Sequence, residues 1–276
     1  MSGDVDLALA LSGTELTKLA GNDDIVIDRF KGNNITAVIP NMNIAPMDNK
    51  LVRQAMAYAA PYDEIIDDIF DGWADPINSY LPPMFPGYTD EFFPYEMNIA
   101  KAKELMAESG VDTPIDITLT YADHRPENER VAIAVKTAFE KIGINLSLNK
   151  VTFGTFAEVS ASRDFEMIMP AALQSHVIDP VFGMEQFSGG NPANGFLNYG
   201  SYNNPTVNDL YVQAAAEQDV AKRNEIVREI QKVMADDPPW IVLALPQFVV
   251  PHRPGIQGIM WPPDDGLRFA EMSISD

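Results

Sequence analysis

Two short loops carry most of the polar chemistry of this chain. The first, Tyr121-Ala-Asp-His-Arg-Pro, joins an alternating apolar run ending at Thr120 to a long helical pattern. A helix N-terminus presents free backbone N–H groups and partial positive charge. With Arg125 beside it, this loop favours an anion such as a carboxylate. The quieter reading is that Arg125 pairs with Asp123 or Glu129, a surface ion pair worth little. The second loop, Leu173-Gln-Ser-His-Val-Ile-Asp-Pro, follows an apolar strand from Phe165 to Met169. Asp179 before Pro180 suits a turn former better than a ligand contact. His176 serves as well facing solvent as facing a ligand. Tyr121, Phe187, Phe196, Tyr199, Tyr202 and Trp261 can supply apolar walls, although such aromatic residues more often fill a core.

Catalytic and metal chemistry find little support. His124, His176 and His252 all fall in predicted loops, and the first two could meet if their loops are neighbours. No His-x-x-x-His spacing is present and the chain has no cysteine, so neither a metal nor another cofactor is expected. The acidic runs Asp67-Asp68, Asp236-Asp237 and Asp264-Asp265 are adjacent pairs, whose side chains point apart. None is set up as an acid/base pair across a substrate bond. There is no Gly-x-Ser-x-Gly elbow, phosphate loop or His-Glu-x-x-His. The residues therefore read as a binding protein and not an enzyme; a carboxylate-based hydrolase is the more distant alternative.

Charge narrows the partners further. Forty acidic against nineteen basic residues give a formal charge of −21. That balance argues against nucleic acid and anionic membranes, which call for a basic face. It reads as a solvated, self-repelling surface, suited to a salty medium. No run of about 18 apolar residues spans a membrane, and the acid-interrupted start, Met-Ser-Gly-Asp-Val-Asp-Leu, is not a signal peptide.

The elements that position these loops follow from periodicity. Val5, Leu7, Leu9 and Leu11 alternate as a strand beginning almost at residue 1. A short helix over 14–20 closes at Gly21, and a strand covers 25–30. Asp48 is placed to cap a helix that Pro61 ends. A second helix sets Ile65, Ile66, Ile69 and Phe70 against an acidic face, with Gly72 at its end. The Pro- and aromatic-rich stretch 73–95 is too apolar for a disordered linker and reads as an ordered connector. Asn98 caps a helix ended by Gly110. Then come a strand at 115–119, a helix at about 127–142, a strand at 144–148, a helix at 155–163 and the strand at 165–169. Strand, long helix, strand is the mark of a parallel crossover. The tail reads as a turn, two amphipathic helices parted at Asp219, a Pro238-Pro239 stop and an apolar strand. The fold class is α/β, or mixed α+β, with helices packed on a mixed sheet.

Four segments in fixed order carry a resemblance. Met47-Asp-Asn-Lys-Leu-Val-Arg-Gln-Ala-Met-Ala-Tyr-Ala resembles a valine-arginine-glutamine-alanine helix, and Tyr80-Leu-Pro-Pro a proline pair in a connector. Residues 95–110 resemble a lysine-alanine-lysine-x-leucine helix, and 219–240 a pair of C-terminal helices. The order is similar to that of extracytoplasmic solute-binding proteins of family 5, the peptide- and nickel-type ABC importer receptors. The match covers the C-terminal half of such a protein. It implies a periplasmic-binding-protein-like lobe over 39–239, with 1–38 and 240–276 belonging to or bridging toward a first lobe. The missing half would carry the signal peptide. The implied role is capture of a peptide-like or other small polar solute for an ABC permease, by a monomer in the periplasm. A stand-alone interaction domain is the alternative.

The same resemblance implies site residues. An arginine at the place of Arg125 grips a ligand carboxylate in dipeptide-binding members. The second loop occupies the place of a tryptophan-x-x-aspartate-x-x-aspartate-proline motif. Asp179-Pro180 keeps its end, Leu173 stands for the tryptophan and His176 for the first aspartate. That aspartate pairs with a ligand ammonium, which His176 cannot do. The departure favours an N-blocked peptide, an acid or another polar solute over free-amino peptides.

Overall fold

A computed structural model describes residues 5–170, 177–189, 197–261, 263 and 266–275. The element order begins with α1 (Gly13–Ala20), β1 (Val26–Phe30), β2 (Thr36–Pro40) and α2 (Lys50–Ala59). A π-helical segment (Glu64–Ile69) and β3 (Ala74–Asp75) lead into the connector. α3 (Ile99–Glu108), β4 (Ile115–Ala122), α4 (Pro126–Glu140), β5 (Ile144–Val151), α5 (Phe153–Ser162) and β6 (Met167–Met169) follow. The chain continues with α6 (Pro180–Met184), α7 (Pro205–Ala216), α8 (Val220–Asp236), β7 (Ile241–Pro246) and β8 (Phe248–His252). It closes with the short strands β9 (Ile256–Gln257) and β10 (Ser273–Ile274).

Six strands form one mixed sheet in the order β3-β7-β2-β6-β4-β5. β4 runs parallel to β5 and β6, as the strand–helix–strand pattern predicts, while β2 runs antiparallel to β6 and β7. Successive side chains on a strand point to opposite faces; β2, β4 and β6 follow that rule, while β7 slips by one residue at its bulge opposite Thr36 and Ala37. Val38, Leu119, Met167, Met169 and Leu243 join one core with α2, α3 and α4. Ala37, Ile39, Ile168, Val242 and Leu245 join a second core with α7, α8 and the connector residues Tyr80, Leu81 and Phe85. Helices thus cover both faces. β1 and β8 form a separate antiparallel ribbon.

Several expectations change. Residues 5–11 do not form a strand: Ala10 takes a φ of 56°, which breaks the extension, and only Leu7 bridges His252. Asn49, not Asp48, caps α2 through a bond from the Leu51 N–H at 2.9 Å. His252 lies in β8 and not in a loop. β2 (Thr36–Pro40) and β7 (Ile241–Pro246) are both strands of the central sheet.

Polar groups pin the layers together. Gln231 of α8 accepts from Ser79 Oγ at 2.7 Å and from the Thr89 N–H, and donates to the Gly87 carbonyl at 2.7 Å, fixing the connector. Arg53 of α2 is 3% exposed. It donates to the carbonyls of Met47, Asp48 and Pro238 and pairs with Asp237. Asp237 also accepts from Asn204 at 2.9 Å, the residue that caps α7. Removing one partner of a buried pair strands the other. Arg53→Met is expected to cost about 3–5 kcal/mol of stability in guanidinium unfolding. Lys50→Met, which breaks the exposed pair with Asp236, should cost under about 1 kcal/mol. Equal losses would show that Arg53 is not the pin.

Candidate ligand-binding site

The chain crosses twice between the β1–β8 ribbon and the central sheet. One crossing is residues 31–35; the other is Gln247 alone, between β7 and β8. They touch at Gly32, where a Cβ would lie 1.9 Å from the Pro246 carbonyl oxygen, so only glycine fits. Arg29 of β1 holds the crossing. Its Nε donates to Gln247 at 2.8 Å, its Nη2 to the Gly72 carbonyl at 3.1 Å, and its guanidinium sits 4.3 Å from the Trp73 ring centre. Gln247 in turn donates to Asp75 at 2.7 Å.

Above this crossing opens a cavity of about 480 Å³. Leu9, Leu11 and Leu16 wall it from the N-terminal segment, and Phe70 and Trp73 from the far side of the π-helical segment. Phe248, Val249 and Trp261 add a third wall. The polar lining is Asn33, Asn34 and Gln247 at the crossing, with His124, Arg125 and Glu127 where β4 gives way to α4.

α4 starts in a way that leaves it open to a ligand. Its N-cap is Arg125, whose side chain makes no capping bond, and Pro126 follows at the first helical position. By contrast Asn98, Thr152, Asn204 and Asp219 all cap their helices through side chains. Arg125 is exposed and, among the described residues, forms no ion pair. The pairing with Glu129 foreseen as the quiet alternative goes instead to Lys150, at 2.8 Å. His124 packs edge-on against Phe153 at 5.1 Å between ring centres. Burial, and then the neighbouring Arg125, push its imidazole below the ordinary histidine value against a weaker pull from Asp123.

Arg125 and His124 therefore meet at one cavity, together with Trp261. The remaining expected site residues are placed elsewhere. Tyr121 is buried in the α4-side core, where burial raises its phenol pKa. Asp179 caps α6 by accepting from the Val181 N–H at 2.9 Å, and pairs with Arg223 at 3.3 Å. Phe187 and Tyr202 belong to the opposite core, with Tyr199 packed against it. Leu173, His176 and Phe196 lie outside the described residues. Among the described residues no group of three or more His, Asp or Glu is placed to hold a metal. Phe70, Trp73, Phe248 and the Asn33-Asn34 pair were not anticipated. Gly32-Asn33-Asn34 ahead of an apolar strand was the available signal.

Known proteins give this arrangement its context. Residues 1–195 match the family of bacterial extracellular solute-binding proteins, family 5 Middle. The chain is 24% identical over 264 residues to the dipeptide-binding protein of Escherichia coli (strain K12), covering 94% of this chain and 49% of that protein. It is 25% identical over 284 residues to heme-binding protein A of Haemophilus influenzae, covering 99% and 50%. In fold it is similar to the ABC transporter-associated periplasmic binding protein DppA from Helicobacter pylori, solved in complex with peptide STSA. The TM-score is 0.90 at 24% identity, over 100% of this chain and 54% of that one. The chain spans about half the length of the curated relatives it matches. With the matched region reaching from residue 1 past the end of β6, the chain belongs to the bacterial extracellular solute-binding proteins of family 5.

Proposed function

We propose that this chain is about half of a substrate-binding protein that captures a small polar solute and delivers it to an ABC permease. The observation that carries this reading is Arg125, an exposed guanidinium at the uncapped start of α4 facing a 480 Å³ cavity, in a chain of this family. Arg125 holds a carboxylate of the solute, helped by the first N–H groups of α4. The protein binds its solute without transforming it.

The body of the lobe is the central sheet with its helices, over roughly residues 39–239 as first assigned and extended by β2 and β7. The segments 1–38 and 240–276, including the β1–β8 ribbon, bridge toward a first lobe contributed by the rest of the protein. Closure of the two lobes buries the solute by hinge motion. The protein works as a monomer in the periplasm, with its signal peptide ahead of this chain. Among the described residues no helix is long and apolar enough to cross a membrane.

The test uses the two-lobed protein. Native mass spectrometry identifies the co-purifying solute, and calorimetry measures it against Arg125→Ala. The loss should be on the order of 1.5–3 kcal/mol, or about 10- to 150-fold in Kd. An unchanged Kd removes Arg125 from the site. The 276-residue chain alone should bind far more weakly, because one wall is absent; micromolar binding by it would count against the two-lobe reading.

A pH series tests His124. Its depressed pKa leaves the ring neutral at pH 7. Protonation as the pH falls below the ordinary histidine range adds positive charge beside Arg125, which favours a solute carboxylate for as long as that carboxylate stays ionised. Affinity should therefore rise on acidification in the wild type, and rise less in His124→Gln. Parallel profiles for the two would place His124 outside the site.

A further inference from the structure

The chain has three tryptophans, and the structure divides them unevenly. Trp240 is 2% exposed and belongs to the core, whereas Trp73 and Trp261 both line the cavity beside Arg125. The two rings at the cavity are also anchored from outside it. Trp73 donates from Nε1 to Thr17 Oγ1 at 3.0 Å and carries Arg29 against its ring. Trp261 lies face to face on Phe248, with the ring planes 9° apart. The segment leading on from Trp261 is tied down where Asn33 Nδ2 donates to the Pro263 carbonyl at 2.8 Å. Rings fixed in this way offer apolar area with little conformational entropy left to lose on binding.

The charged chemistry sits at one place only. Arg125 and the start of α4 provide the anion site, and among the described lining residues there is no lysine and one carboxylate, Glu127. Glu127 lies in the first turn of α4, where the helix's own positive end favours it. The opposite lining, from Leu16 through Phe70 to Trp73, is apolar. A cavity of this volume is of the size that encloses a small organic ligand.

We infer that this cavity selects a solute with a flat, bulky apolar body and a single carboxylate head, the body held between Trp73 and Trp261 and the head at Arg125. This rests on the solute-binding role proposed above. It assigns the two tryptophans as specificity residues and the class of ligand as aromatic carboxylates. A short chain of small residues would leave the aromatic walls unmatched.

The experiment titrates the two-lobed protein with indole-3-acetate, phenylpropionate, phenylalanine, dialanine and acetate, reading tryptophan emission and calorimetry together. Aromatic carboxylates should bind at least about tenfold tighter than acetate or dialanine, in line with the value of an aromatic contact, and should change the emission. Phenylpropionate and phenylalanine should bind alike. Trp261→Ala should weaken the aromatic acids about tenfold more than it weakens dialanine, in a variant whose melting curve shows that it is still folded. Dialanine binding as tightly as the aromatic acids would overturn the aromatic class while leaving the solute-binding role standing. A tenfold preference for phenylalanine over phenylpropionate would overturn the single-carboxylate head and move recognition to Glu127. Binding of none of the five overturns the inference. Whether the broader role falls with it is then read from the co-purified mass, since a bound non-aromatic solute keeps the role and an empty protein does not.

Discussion

The pairing of Arg53 with Asp237 is the constraint on which the rest of this molecule leans. A guanidinium that is 3% exposed is tolerable only because its donors are matched by a carboxylate and three main-chain carbonyls. Those partners come from the turn before α2, the end of α8 and the Pro238-Pro239 stop. Asp237 passes the constraint on to Asn204 at the head of α7. One buried charge thus fixes where a helix on one face of the sheet meets two on the other, and where β7 enters between them.

With β7 placed, the cavity follows. β7 leads through a single residue into β8, so Gln247 cannot move without carrying both strands. Arg29 and Asp75 hold it from opposite sides. The same crossing sets Trp73, through Arg29, and brings Phe248 and Trp261 over the mouth of β4 where Arg125 stands. The cavity is lined by segments distant in sequence, with His124 and Arg125 just past the end of β4, where ligand sites in α/β folds commonly lie.

Legibility in the sequence divides along the range of the interactions. The parallel β4–α4–β5 crossover, the paired α7 and α8 and the apolar β7 were readable because period and capping residues are local signals. Arg125 at the start of α4 was readable for the same reason. The segment 5–11 was misread because alternation in composition says nothing about the positive φ at Ala10. Trp73 and Phe248 escaped notice because their meeting depends on the crossing at Gly32, and no local pattern encodes a contact across more than 170 residues. The adjacent acids Asp236 and Asp237 were expected to point apart, and they do: one reaches Lys50, the other Arg53.

The contact at Gly32 has a mechanical meaning. Two separate strands joining two bodies can in principle slide, shear or twist independently. Here the two joining segments are pressed backbone to backbone, with no side chain between them at that point. A rotation of the ribbon against the sheet would turn about this common point, which is also the floor of the cavity. The contact between the two joining segments and the cavity floor are one surface, so anything filling the cavity would press on the joint directly.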